Sequence, residues 1–186
     1  MSRKKISIAI TIVGVLAVIV IVGKWYGKNQ TKKHSPAAVA SYTKNDLNIK
    51  INYCQPYKKG RLVFGPKSEK PLEAFGEYWR TGANEATTIE SETDIKFGDQ
   101  TLSAGKYSLY TFPGESSWVI GINSEHGQWG YAEPDYGNDV FRTEVPVEKL
   151  SDVVEQFEMD FVESGDGLSL ILQWDQTKVS IPISAI

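Results

Sequence analysis

The sequence predicts an all-β chain: an antiparallel β-sandwich, or a partly open barrel, preceded by one N-terminal transmembrane helix. Three observations lead there. Beyond residue 43 apolar residues alternate with polar ones, the period of a half-buried strand. The alternating runs are short, recur at roughly 8–12-residue intervals, and end in Gly, Pro or Asp. Before residue 24 stands an unbroken apolar stretch of a different kind.

That stretch, residues 6–22 (ISIAITIVGVLAVIVIV), has no charge and only Ser7 and Thr11 as polar side chains. As a helix it rises roughly 26 Å at about 1.5 Å per residue. This is near the short limit for a hydrocarbon core of about 30 Å. Lys5 and Lys24 can snorkel to make up the difference, and Trp25 and Tyr26 suit the headgroup level. The run is longer than a cleavable leader's, and the Ala38-Val39-Ala40 triplet lies too far downstream to serve as its cleavage site. Residues 1–23 therefore read as an anchor and 24–43, with Lys, Asn, Gln, Thr, His, Ser, Pro and Ala and no apolar periodicity, as a polar tether. Basic residues flank both ends of the helix, so charge alone does not orient it. A short basic N-terminus before a first helix favours an exported, periplasmic domain on a single-pass membrane protein.

Residues 44–186 are the size of one domain. Leu47, Ile49, Ile51 and Tyr53 alternate cleanly. Strands follow at 61–64 and, more weakly, at 85–90. The run 95–97 meets 101–102 across the turn dipeptide Gly98-Asp99. Runs 106–112 and 118–122, separated by Pro113-Gly114, form a hairpin. Later strands are expected at 140–145, 157–161, 168–174 and 178–183, with turns at Asp166-Gly167 and Asp175-Gln176. Two short helices are expected, 71–77 and 147–150.

Residues 41–186 hold 13 Lys and Arg against all 23 Asp and Glu, a net charge of −10. Residues 1–40 carry seven basic residues and no acid. The basic end suits anionic headgroups, so the bilayer is the expected partner. The acidic domain is a poor match for a phosphate backbone, so no nucleic acid is expected.

No phosphate loop and no nucleophile elbow is present. The single Cys54 excludes an intramolecular disulfide. The two histidines, His34 and His126, are far apart, so no metal and no cofactor is expected. The segment 135–139 (DYGND) lacks the remaining ligands of a calcium loop and reads as a surface turn. Trp118 and Trp174 fall in strands and read as core, while Trp129, among glycines, is the best candidate for an exposed sugar-stacking face. The densest polar segment is 78–87. There Arg80 offers a planar fork for a carboxylate or phosphate, Asn84 can donate and accept, and Gly82 admits a close approach. The competing structural account makes Trp79 a core plug and has Arg80 pair with Glu85. The candidate ligand-binding residues are thus Arg80, Asn84, Glu85, Trp129 and His126, with catalytic residues unknown.

The blocks 53–61 (YCQPYKKGR), 63–65 (VFG), 79–87 (WRTGANEAT) and 103–114 (SAGKYSLYTFPG), with Trp118, Asn123 and the closing 170–183, resemble the domain-of-unknown-function 2911 family. The resemblance spans residues 35–186. It implies a bacterial, mostly exported β-rich domain and supplies no activity. Many members have Ser-Arg where this chain has Cys54-Gln55. Three functions follow as expectations. The first is a binding or accessory module for a small molecule or glycan. The second is a hydrolase-like enzyme with a carboxylate–histidine acid–base pair. The third is a purely structural envelope domain.

Overall fold

The computed structural model describes residues 3–164 and 167–186. The side chains of 3–13, 24–26, 28–29 and 164 also lie outside the description. The first half of the apolar run, Trp25, Tyr26 and Asp166 of the expected Asp166-Gly167 turn therefore fall outside it.

The chain divides into Met1–His34 and Ser35–Ile186. The first unit is one helix, α1 (Arg3–His34). Its last turn carries Lys32, Lys33 and His34, which suit the negative end of the helix dipole. It stops before Ser35-Pro36, where the proline ring disfavours helical backbone in the residue ahead of it. Described side chains from Val15 to Val22 are among the most exposed large apolar residues, several near 55–66%. Among the described residues no helix is long and apolar enough to cross a membrane.

Strands make up 56% of the chain, mostly antiparallel, and their sheet is not closed. In chain order they are β1 (Ala37–Lys44), β2 (Leu47–Cys54), β3 (Phe64–Gly65), β4 (Glu73–Ala74), β5 (Thr88–Ser91), β6 (Ile95–Phe97), β7 (Gln100–Leu102), β8 (Gly105–Phe112), β9 (Ser117–Asn123), β10 (Asp139–Ser164) and β11 (Gly167–Ala185). Nine of them hydrogen-bond in the order β1-β2-β5-β8-β9-β10-β11-β6-β7, and β3 pairs in parallel with β4 apart from them.

Several expectations are corrected. Residues 24–43 are not a tether: the helix continues to His34 and β1 begins at Ala37, pairing along its whole length with β2. Residues 61–63 are not a strand, and neither 71–77 nor 147–150 is helical. The stretch 147–150 belongs to β10, whose first part pairs with β9 up to Pro146 and whose remainder pairs with β11. Pro146, lacking an N–H, stands where the strand exchanges one partner for the other.

Asp175-Gln176 is likewise no turn. Leu168, Leu170, Leu172 and Trp174 are buried, and beyond it Thr177, Val179, Ile181 and Ile183 are. The buried set changes from even to odd numbers because Asp175 takes a left-handed φ of 55° and the β10–β11 register shifts there. An inserted residue of this kind keeps the same face of the strand on the core.

The core is aromatic. Trp79, Trp118 and Trp174 are each at most 2% exposed. Trp79 lies 5.6 Å from Trp118, 5.9 Å from Trp174 and 4.9 Å from Phe157, ring centre to ring centre. The outer strand β1 meets the far end of β10, where Tyr42 faces Phe161 and Lys44 lies 2.9 Å from Glu163.

Candidate functional site

Trp79 fixes the segment that follows it. Its backbone exchanges two hydrogen bonds with Thr111 of β8, and its indole donates to the carbonyl of Gly82 at 3.0 Å. Thr81 and Asn84 adopt left-handed backbone, φ 55° and 63°. Gly82, at φ 148°, lies so close to β2 that a Cβ would stand 2.9 Å from the Cys54 carbonyl. Thr87 donates to the Thr81 carbonyl at 2.7 Å. Most of the polar character of 79–87 is therefore spent inside the fold, holding a tight connection to the sheet.

The far end of this segment pairs with the loop after β9. The Ala86 N–H donates to Gln128 and the Gly130 N–H to Asn84, both at 3.1 Å. This bridge opposes Glu85 to Trp129. Three expected site residues, Asn84, Glu85 and Trp129, are thus brought together. Asn84 is buried and donates to the Ser35 carbonyl at 3.2 Å. Glu85 is half-buried with its carboxylate 3.8 Å from the Cys54 sulfur, and Trp129 is half-buried as well. His126 is exposed in the loop and, among the described residues, bonds to no carboxylate. The carboxylate–histidine pair expected of a hydrolase is not assembled around it.

Arg80 points to a different place. Among the described residues it makes no ion pair, so the expected contact with Glu85 does not form. The turns at Thr81, Gly82 and Asn84 separate the two. Arg80 instead packs on Gly130, where a Cβ would meet its Cδ at 2.8 Å, and lines a cleft of about 450 Å³.

Glu73, Glu77, Tyr78, Trp79, Tyr131 and Glu133 line the cleft with Arg80. β4 holds Glu73 through its N–H, which donates to Val63 at 2.9 Å. Its carboxyl is half-buried and has no hydrogen-bond partner among the described residues. Burial pushes it up to about 8, against the pull of Arg80. It is therefore mostly a neutral carboxylic acid, a hydrogen-bond donor, at pH 7. The Tyr78 hydroxyl donates to the Gly130 carbonyl at 3.3 Å. Burial raises its phenol too, while Arg80 offsets this and Glu133 adds to it. Glu133 accepts from Tyr136 at 2.6 Å. Glu77 pairs with Lys67 at 3.0 Å. Tyr131 is 81% exposed and has no ring or hydrogen-bond partner among the described residues. A cleft with one cation, one neutral acid, two carboxylates and an open aromatic ring can hold a small polar ligand from several sides.

A family model described as "Protein of unknown function (DUF2911)" matches residues 35–183, the whole sheet-forming unit but its last three residues. The chain belongs to the DUF2911 family. No curated protein and no solved structure matches it. The match begins at Ser35, the residue after α1, so the helix stands outside the DUF2911 region.

Beside the cleft the DUF2911 domain carries a fully occupied polar lock. Asp139 accepts from Tyr110 at 2.7 Å and Asn123 at 2.8 Å, and pairs with Arg142 at 2.8 Å. The Arg142 guanidinium also lies 4.6 Å from the centre of the Tyr136 ring, a cation–π contact. Asp135 caps the turn Tyr136–Asn138 by accepting from Gly137. The segment 135–139 is a surface turn anchored by this lock. Among the described residues no group of three His, Cys, Asp or Glu is placed to hold a metal. Of the cleft residues, the sequence singled out Arg80 alone. Glu73 was concealed in an expected helix, and only the fold brings Tyr131 and Glu133 to the same cleft as Arg80.

Proposed function

We propose that this chain is a membrane-anchored, exported ligand-binding domain, and that the cleft beside Arg80 is its binding site. The observation that carries the site is Glu73. A carboxyl half out of water, with no hydrogen-bond partner among the described residues and beside a guanidinium that makes no ion pair among them, costs stability. Such groups concentrate where a ligand completes them. We read the open sheet as a sandwich-like fold bent over the tryptophan core, which leaves the cleft on loops above a rigid support.

The anchor is carried by the uncharged run 6–22 with basic residues at both ends. The exposed apolar side chains of Val15 to Val22 support it, because lipid would cover what water does not favour.

The test is a thermal-shift screen of small polar metabolites against the full chain in detergent and against Arg80→Ala and Glu73→Ala. At least one compound should raise the melting temperature of the parent and leave both variants unmoved. Stabilisation that survives in both variants would place the site elsewhere.

A further inference from the structure

Resting on the cleft as the binding site, we propose that its ligand is a neutral carbohydrate, stacked on Tyr131 and held through its hydroxyls by Arg80, Glu73 and Glu133.

The other ligand classes fit the lining poorly. A free anion would find one guanidinium but would also meet Glu77 and Glu133. A simple cation would face Arg80 while Glu77 is already paired with Lys67 and Glu73 carries a proton near neutrality. An apolar ligand would strand every one of these polar groups. Neighbouring hydroxyls of a sugar ring each donate and accept. They match a lining in which Arg80 and the Glu73 acid donate and Glu133 accepts. The groups facing Glu73 in the cleft are Arg80, Glu77, Tyr78 and Glu133.

The aromatic element is independent of these charges. Tyr131 holds its ring in water at 81% exposure. It also lines the cleft, where an exposed ring can offer a face to the C–H side of a sugar. Stacking there needs no rearrangement of the core.

The test uses the full chain in a polyoxyethylene detergent, since sugar-headed detergents would compete. Titration calorimetry would be run with the β-1,4-linked tetramers of glucose, xylose, mannose and N-acetylglucosamine and the α-1,4-linked tetramer of glucose. Glycine betaine and γ-aminobutyrate serve as zwitterionic comparisons. At least one sugar should bind at pH 7. Tyr131→Ala should melt as the parent does and bind it about tenfold more weakly, a loss of about 1.4 kcal/mol. Glu73→Gln should bind normally at pH 7 and keep its affinity at pH 9, where the parent loses affinity as Glu73 ionises. Sugar binding untouched by Tyr131→Ala overturns the proposal. A zwitterion that binds through Arg80 while no sugar does overturns the carbohydrate alone and leaves the cleft as the site. Absence of binding by both classes at millimolar concentration overturns both.

Discussion

Glu73 makes the folded domain sensitive to alkali. The native state holds its proton up to about pH 8, whereas a free glutamate releases it near 4.5. Between those values the folded chain binds more protons than the unfolded chain, so stability falls as pH rises and levels off above about 8. The slope is at most about 1.4 kcal/mol per pH unit from this one group. Glu73→Gln should remove that contribution. Urea unfolding should show the variant about equal to the parent near pH 4.5 and clearly more stable at pH 8. A constant difference across the range would mean that the carboxyl is not held neutral. A second residue-scale expectation concerns Gly130, where any side chain must push into Arg80 and the Ala86 N–H, 3.0 Å away. Gly130→Ala should cost about 1–3 kcal/mol, read from the same unfolding curves. At this scale the tryptophans were legible, because Trp118 and Trp174 sit on strands whose alternation points inward. The Arg80 partner was not. Spacing in sequence suggested Glu85, and only the left-handed turns at Thr81 and Asn84 decide otherwise.

Among the elements, β11 shows most plainly what alternation alone conceals. Asp175-Gln176 reads as a hairpin turn because two polar residues separate two apolar runs. The phase of those runs does not tell the two cases apart, since the residues flanking a two-residue hairpin turn share a face, as Trp174 and Thr177 also do across the extra residue of a bulge. Lys58 clamps this bulge by pairing with Asp175, both side chains mostly buried at 20% and 16% exposure. Deleting Gln176 should turn Thr177, Val179, Ile181 and Ile183 toward solvent, and circular dichroism should show no cooperative melt. Lys58→Met should be milder, a loss of about 1–3 kcal/mol for a charge-assisted hydrogen bond. The hairpins β6–β7 and β8–β9 were read correctly because Gly98-Asp99 and Pro113-Gly114 announce them. The short helices at 71–77 and 147–150 were not, because a few residues of weak pattern carry too little signal against pairing with a distant strand.

For the whole molecule the sequence separated two chemistries well: a basic, apolar N-terminal segment and an acidic sheet-forming unit. It misjudged the join between them. Residues 35–43 lack strong apolar alternation, yet β1 is fixed there by backbone pairing with β2, which asks little of side chains. Truncation should expose this. A chain starting at residue 44 loses an edge strand and should aggregate or melt early, whereas one starting at Ser35 should fold. Size-exclusion chromatography and melting curves of the two would decide. Membrane attachment is tested separately: the full chain should stay with membranes after a carbonate wash, and an alkaline phosphatase fused after Ile186 should be active. An inactive fusion would place the domain on the cytoplasmic side.

Cys54 supplies a clock. It is the single thiol of the chain, 4% exposed, at the end of β2 and directly beneath the turn formed by Gly82. A maleimide can reach that buried sulfur, 3.8 Å from the Glu85 carboxylate, only when its surroundings open, so the labelling rate reports opening of the fold beside the segment that carries Arg80. If opening is local, labelling should be far faster than global unfolding and little altered by mild denaturant. A ligand seated against Arg80 should slow it in proportion to occupancy. One native sulfur atom thereby reports, without any engineered residue, on motion beside the site whose ligand is sought.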